Sequence, residues 1–234
     1  MAGLKTEYVD LPDARIAYTQ AGSGIPLVLL HGNSASKRMF RRYQADYFTQ
    51  YRAIAIDSRG HGESVSSDAE YSFDLYSDDV IKACGVLSIA KAFVIGYSDG
   101  GNLALLLAKK APEVFTKIVA ISPNYLASGL KDNMLAMFRK MSKILVFLGR
   151  LGLNTRKQVK RFDLILKDIG ISEKELGSIR TNVKILYAGN DRSDTGVPAR
   201  IESRGAAHCE PLHGTPLLSA EAAYRRLTPD HQWR

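Results

Sequence analysis

Val94-Ile95-Gly96-Tyr97-Ser98-Asp99-Gly100-Gly101-Asn102-Leu103 is the stretch that decides the fold. An apolar run at 92–95 leads into Gly-x-Ser-x-Gly, and an apolar helical stretch, NLALLLA, follows from Gly100. A strand that turns this sharply into a helix holds the serine between them in a strained backbone conformation. Glycine stands at 96 and 100 because a side chain at either place would strike the neighbouring strand or helix. The Ser98 hydroxyl is then exposed at a helix N-terminus, where the dipole and free N–H groups favour an oxyanion. Gly-x-Ser-x-Gly alone is a weak pattern. Between AFVI and NLALLLA it reads as the strand–turn–helix that presents a nucleophile.

Working outward, residues 6–10 and 14–19 alternate as two antiparallel strands joined across Leu11-Pro12-Asp13. The run IPLVLL at 25–30 is apolar throughout, as a strand buried on both faces must be, and it ends at His31-Gly32-Asn33-Ser34. A helix is expected over 37–50, then a buried strand at 53–56 that runs into Asp57-Ser58-Arg59-Gly60-His61-Gly62-Glu63-Ser64. Residues 73–89 read as a helix, 118–121 as a strand followed by Ser122-Pro123-Asn124, and 183–188 as a strand ending at Gly189-Asn190-Asp191. Strands alternating with helices predict an α/β fold with a mostly parallel central sheet flanked by helices. Its ligands belong at the carboxyl ends of the strands.

The 234 residues suit one such domain with a modest insertion. A net charge of +8 suggests nucleic acid, but 12 Lys/Arg against 5 Asp/Glu fall within 126–182, which leaves the rest of the chain nearly neutral. No nucleic-acid motif accompanies the charge. No apolar run approaches the length of a membrane span, and MAGLKTEYVD lacks the apolar region of a signal peptide. Cys84 and Cys209 are too few for a disulfide framework or a metal motif, so the expected compartment is the cytoplasm. Oligomeric state is left open.

HGN, DSRGHGES, GYSDGG and GND, in this order, resemble the α/β-hydrolase fold family over residues 7–191, with small esterases and lactonases under a short helical cap most similar. The resemblance implies Ser98 as nucleophile, then an acid, then a histidine base. Asp191 stands in the loop after the late strand as the acid, with Asp194 its competitor. Backbone N–H groups of Asn33 and Asp99 would form the oxyanion hole. His31 and His61 fall in the family's structural turns, and Cys84 reads as a small core residue. His208, after the small residues Gly205-Ala206-Ala207, is the first choice of base; His213 is second, and His231 stands close to the end. No metal or organic cofactor is implied. The core would comprise residues 1–125 and 183–234, and the cap 126–182.

Within that cap, Leu130, Met134, Met137, Phe138, Met141, Ile144, Leu145 and Leu148 recur at helical spacing, either to cover an acyl pocket or to pack on the core. A second helix at 155–169 carries Lys157, Lys160, Arg161 and Lys167, a face read as solvated in preference to one touching anionic lipid. The tail is the weak part. No stretch of 192–216 reads as a buried strand, and a strand at 199–203 leaves nine residues after Gly189 for a crossover that needs about a dozen or more. The excess of Arg, Pro, Gly and Ala there points to an altered C-terminus, as from a shifted reading frame. The function expected is hydrolysis of a small-molecule ester, lactone or related acyl compound. A catalytically impaired ligand-binding protein and a carbon–carbon bond hydrolase are the alternatives.

Overall fold

The structure is a computed structural model that describes residues 4–67, 71–124, 132–188 and 207–212, with backbone alone for 187–188 and 207–212. β1 (Glu7–Leu11) and β2 (Ala14–Ala21) form the expected hairpin, with Val9 opposite Ile16. Beyond them run β3 (Ile25–Leu30), β4 (Tyr51–Ile56), the short β5 (Val65–Ser66), β6 (Ala92–Tyr97), β7 (Phe115–Ile121), β8 (Asn182–Ala188) and β9 (Ala207–Leu212). The sheet order is β1-β2-β4-β3-β6-β7-β8-β9, with β5 on β2, and every pairing from β4 to β9 is parallel. From β3 the chain first moves out to β4 and then returns to lay β6 on the other side. That reversal opens a crevice between the carboxyl ends of β3 and β6, where such sheets bind ligands.

Period-2 side-chain alternation divides the core between the two faces of the sheet. Val28, Leu30, Ile54 and Ile56 pack with α2 (Phe73–Val86) and α3 (Asp99–Lys110). Leu27, Leu29, Ala53 and Ala55 pack with Phe40 and Phe48 on the other side. The helix expected over 37–50 is only a 3₁₀ turn (Lys37–Phe40) and α1 (Arg41–Asp46). It stops there because the N–H groups of both Tyr47 and Phe48 fold back on the Tyr43 carbonyl.

In the expected cap, α4 (Asp132–Arg150) buries no residue. It leans on α5 (Arg156–Ile165) through the rings of Phe138 and Phe162, 6.1 Å apart, and through Ser142 Oγ donating to Asp163 at 2.7 Å. Of the stripe on α4, Phe138 meets α5, whereas Met134, Met137, Met141 and Ile144 stay exposed. From Leu164 onward, through α6 (Glu173–Leu176), the buried residues Leu164, Ile169, Ile171 and Leu176 join the main core. Among the described residues, no helix is long and apolar enough to cross a membrane.

The tail corrects one expectation. β9 lies within 192–216 and pairs in parallel with β8, from Val183 opposite Ala207 to Ala188 opposite Leu212. Its sequence, AHCEPL, holds no apolar run; its partner among the described residues is β8, and Pro211, which has no N–H to give a second ladder, fits that place. Residues 189–206 separate the two strands, which is room enough for a parallel crossover. The strand considered at 199–203 lies outside the described residues.

Candidate active site

Ser98 joins β6 to α3 at φ 54° and ψ −118°, a conformation that L-residues seldom take. Its N–H donates to the Ile121 carbonyl at 2.8 Å and its carbonyl accepts from Asn102 N–H at 3.0 Å, so both neighbouring elements hold the strained residue in place. A Cβ at Gly96 would collide with the Gly100 carbonyl oxygen, and one at Gly100 with the Leu30 carbonyl oxygen. The two glycines are thus required by the approach of α3 to β6 and β3. The Ser98 side chain is partly exposed.

Leu30 and Gly96 stand side by side in the parallel register of β3 and β6, so the chain segments that follow them emerge together. Gly32 comes so close that a Cβ there would lie 3.1 Å from that of Ser98. Asn33 is next in the chain. Asp99 opens α3, and neither its backbone N–H nor that of Asn33 has a partner among the described residues. Two free donors thus flank the serine.

The side chains of the same two residues meet. Asn33 Nδ2 donates to Asp99 Oδ2 at 3.0 Å and to the carbonyl of Arg161, on α5, at 2.9 Å. Burial pushes the Asp99 carboxyl up to about 6, against the lowering effect of the Asn33 amide. The turn after β4 is fixed by ion pairs. Asp57 accepts from Lys37 Nζ at 2.7 Å and from the backbone N–H of Lys37 and Glu63, while Arg59 is forked onto Asp79 and Asp13.

His31 and His61 are buried, with ring centroids 5.2 Å apart. The Ser58 N–H donates to His31 Nε2, so His31 Nδ1 carries the proton and donates to the Gly32 carbonyl at 2.7 Å. Its role is to brace the turn before Asn33. Burial lowers the His31 imidazole and drives that of His61 down to about 3, so both rings are neutral at pH 7. Cys84 is buried in α2, and burial pushes its thiol up to about 12, as suits an inert core residue.

Asp191, Asp194, His213 and His231 lie outside the described residues. His208 falls in β9, level with Lys184 near the start of β8, whereas Ser98 follows the carboxyl end of β6. Leu212 closes β9 level with Ala188, at the edge of the sheet that carries Ser98, and His213 is the next residue in the chain. Arg161 was hidden among the charges of the second cap helix. Its signal was its register, three and four residues before the buried Leu164 and Ile165 and hence on their face.

A family model for the alpha/beta hydrolase fold matches residues 25–156, which contain both loops and the serine turn. The chain belongs to the α/β-hydrolase fold family. An uncharacterized protein of Mycobacterium tuberculosis is 29% identical over 128 residues, 55% of this chain and 36% of its own length. The sn-1-specific diacylglycerol lipase of Danio rerio is 29% identical over 125 residues, 53% of this chain and 39% of the lipase. This α/β-hydrolase chain thus spans little more than a third of the length of those relatives. Among solved structures, Est816, an N-acyl homoserine lactone degrading enzyme, superposes with a TM-score of 0.75 at 20% identity, covering 95% of this chain and all of Est816. At that identity the likeness speaks for the fold.

Proposed function

We propose that this α/β hydrolase cleaves a small ester, lactone or related acyl compound through an acyl-enzyme at Ser98. The observation that carries the reading is the strained serine at φ 54°, next to Asp99 and beside the turn that leads to Asn33, whose backbone N–H groups have no partner among the described residues. Ser98 Oγ attacks the carbonyl carbon as a histidine takes its proton. The tetrahedral oxyanion accepts from the two N–H groups, and the histidine returns the proton to the leaving alkoxide. Water, deprotonated by the same histidine, then clears the acyl group. Asp191 is the proposed orienting acid, on its place after β8.

Of the two candidate bases, the strand register favours His213, which follows β9 directly, over His208 within it. A carbon–carbon bond hydrolase would use the same nucleophile and oxyanion donors. We also propose a cytoplasmic location, on cysteine usage alone. The deciding experiment is labelling with a fluorophosphonate probe. The wild-type protein should be labelled once, at Ser98, and Ser98→Ala should not react. A folded wild-type protein that resists the probe would instead support a non-catalytic ligand-binding protein.

A further inference from the structure

α4 carries two apolar stripes, and α5 packs against one of them. Leu135, Phe138, Ser142 and Leu145 are half-buried, and Phe138 and Ser142 of this stripe meet α5. Met134, Met137, Met141, Ile144 and Leu151 form the second stripe, at helical spacings of three, four, three and seven. With 3.6 residues per turn it runs alongside the first, and all five side chains are exposed. Phe147, three residues after Ile144 and four before Leu151, is exposed as well and widens it. Single exposed apolar side chains are ordinary. A continuous stripe of them marks a surface that meets something apolar.

The charges beside the stripe say what that is. α4 holds Arg139, Lys140, Lys143 and Arg150 against one acid, Asp132, in its first turn. Lys140 lies three residues after Met137 and four before Ile144, and Lys143 lies four before Phe147, so both border the stripe. Both are exposed. Docking of a second copy through this face would bring the same cations together, which is unfavourable. An anionic bilayer satisfies both features at once. Apolar side chains enter the boundary between headgroups and acyl chains, while the lysines extend along it to the phosphates. The helix lies on such a surface and does not cross it, since no helix among the described residues is long and apolar enough to span.

We propose that α4 docks this chain on an anionic phospholipid bilayer, with the methionine stripe inward and Lys140 and Lys143 on the lipid phosphates. The attachment is peripheral and reversible. It stands apart from the chemistry at Ser98 and is tested without turnover. The leaflet that faces the cytoplasm carries anionic lipid, in keeping with the compartment proposed above.

The test is sedimentation of the full chain with vesicles of phosphatidylcholine alone, or of equal parts phosphatidylcholine and phosphatidylglycerol. The anionic vesicles should bind it about tenfold or more tightly than the neutral ones. Met137→Gln with Met141→Gln should weaken that binding by about tenfold or more. Lys140→Gln with Lys143→Gln should weaken it by a similar factor. Lys5→Gln with Lys91→Gln removes the same charge from exposed positions outside the cap, and should change binding by less than about twofold. All these positions are exposed, and unfolding curves confirm that each variant is folded. Failure of the chain to bind anionic vesicles overturns the proposal. Binding that ignores the methionine pair, or that falls as much with the Lys5 and Lys91 pair, overturns it too, since either describes diffuse attraction of a protein of charge +8. A dimer in light scattering that the methionine pair dissolves would assign the stripe to a second copy and equally overturn it.

Discussion

Asn33 Nδ2 lies 3.0 Å from Asp99 Oδ2, so the two residues that offer backbone N–H groups on either side of Ser98 are also joined through their side chains. The same amide holds the Arg161 carbonyl at 2.9 Å. One side chain thereby ties together the loop after β3, the start of α3 and the cap helix α5.

Asn33→Ala should loosen all three. A buried carboxyl loses its side-chain donor, at a cost of about 1–3 kcal/mol, and α5 loses its tie to the core. The expected outcome is about a tenfold fall in kcat/KM for a p-nitrophenyl ester together with faster amide exchange in α5. Unchanged protection of α5 would show that the amide is not the tie.

Asp99 gives a pH dependence with a definite sign. Its carboxyl, pushed up to about 6 in the folded protein, titrates near 3.9 in an unfolded chain. The native state therefore binds this proton more tightly. The associated stabilisation is complete below about pH 4 and is lost as the pH rises through about 6. Asp99→Asn removes the titration while keeping an acceptor for Asn33. The unfolding free energy of the variant relative to wild type should rise by about 1–3 kcal/mol between pH 4 and 6.5 and stay level above pH 7. A difference independent of pH would refute the assignment.

Ser98 occupies a backbone region suited to glycine. Ser98→Gly should relieve strain of about 1–3 kcal/mol, less the entropy that glycine adds to the unfolded chain, while ending esterase turnover. The outcome is a variant at least as stable as Ser98→Ala in urea unfolding. A markedly less stable glycine variant would mean the turn is not strained.

Lys37 is buried against Asp57, which is wholly buried itself. Lys37→Met leaves the carboxylate without its cation and should destabilise the fold by about 3–5 kcal/mol. The midpoint of urea denaturation reads this directly. A change within experimental error would show that the backbone donors to Asp57 suffice.

The base can be settled by two substitutions. His213→Ala should lower kcat by about a thousandfold or more, as loss of a triad member does. His208→Ala, within β9, should change it by less than about tenfold on the same scale. The reverse pattern would restore the residue that local sequence favoured.

Much of this was legible in the chain itself. The serine turn, both loops and the parallel strands could be read because a sharp strand-to-helix turn admits only glycine at 96 and 100. Strands buried on both faces, likewise, must be apolar throughout, as Leu27–Leu30 are. What the sequence did not disclose depends on neighbours remote in the chain. β9 carries no apolar run, so its place was decided by its parallel pairing with β8. The meeting of Asn33 with Asp99 and Arg161 needed the reversal of strand order between β3 and β6 and the docking of α5 above it. Arg161, one basic residue among several in its helix, acquired its surroundings only through that docking. Local sequence sets backbone conformation and burial pattern; tertiary packing alone brings side chains remote in the chain, such as those of Asn33 and Asp99, within hydrogen-bond reach.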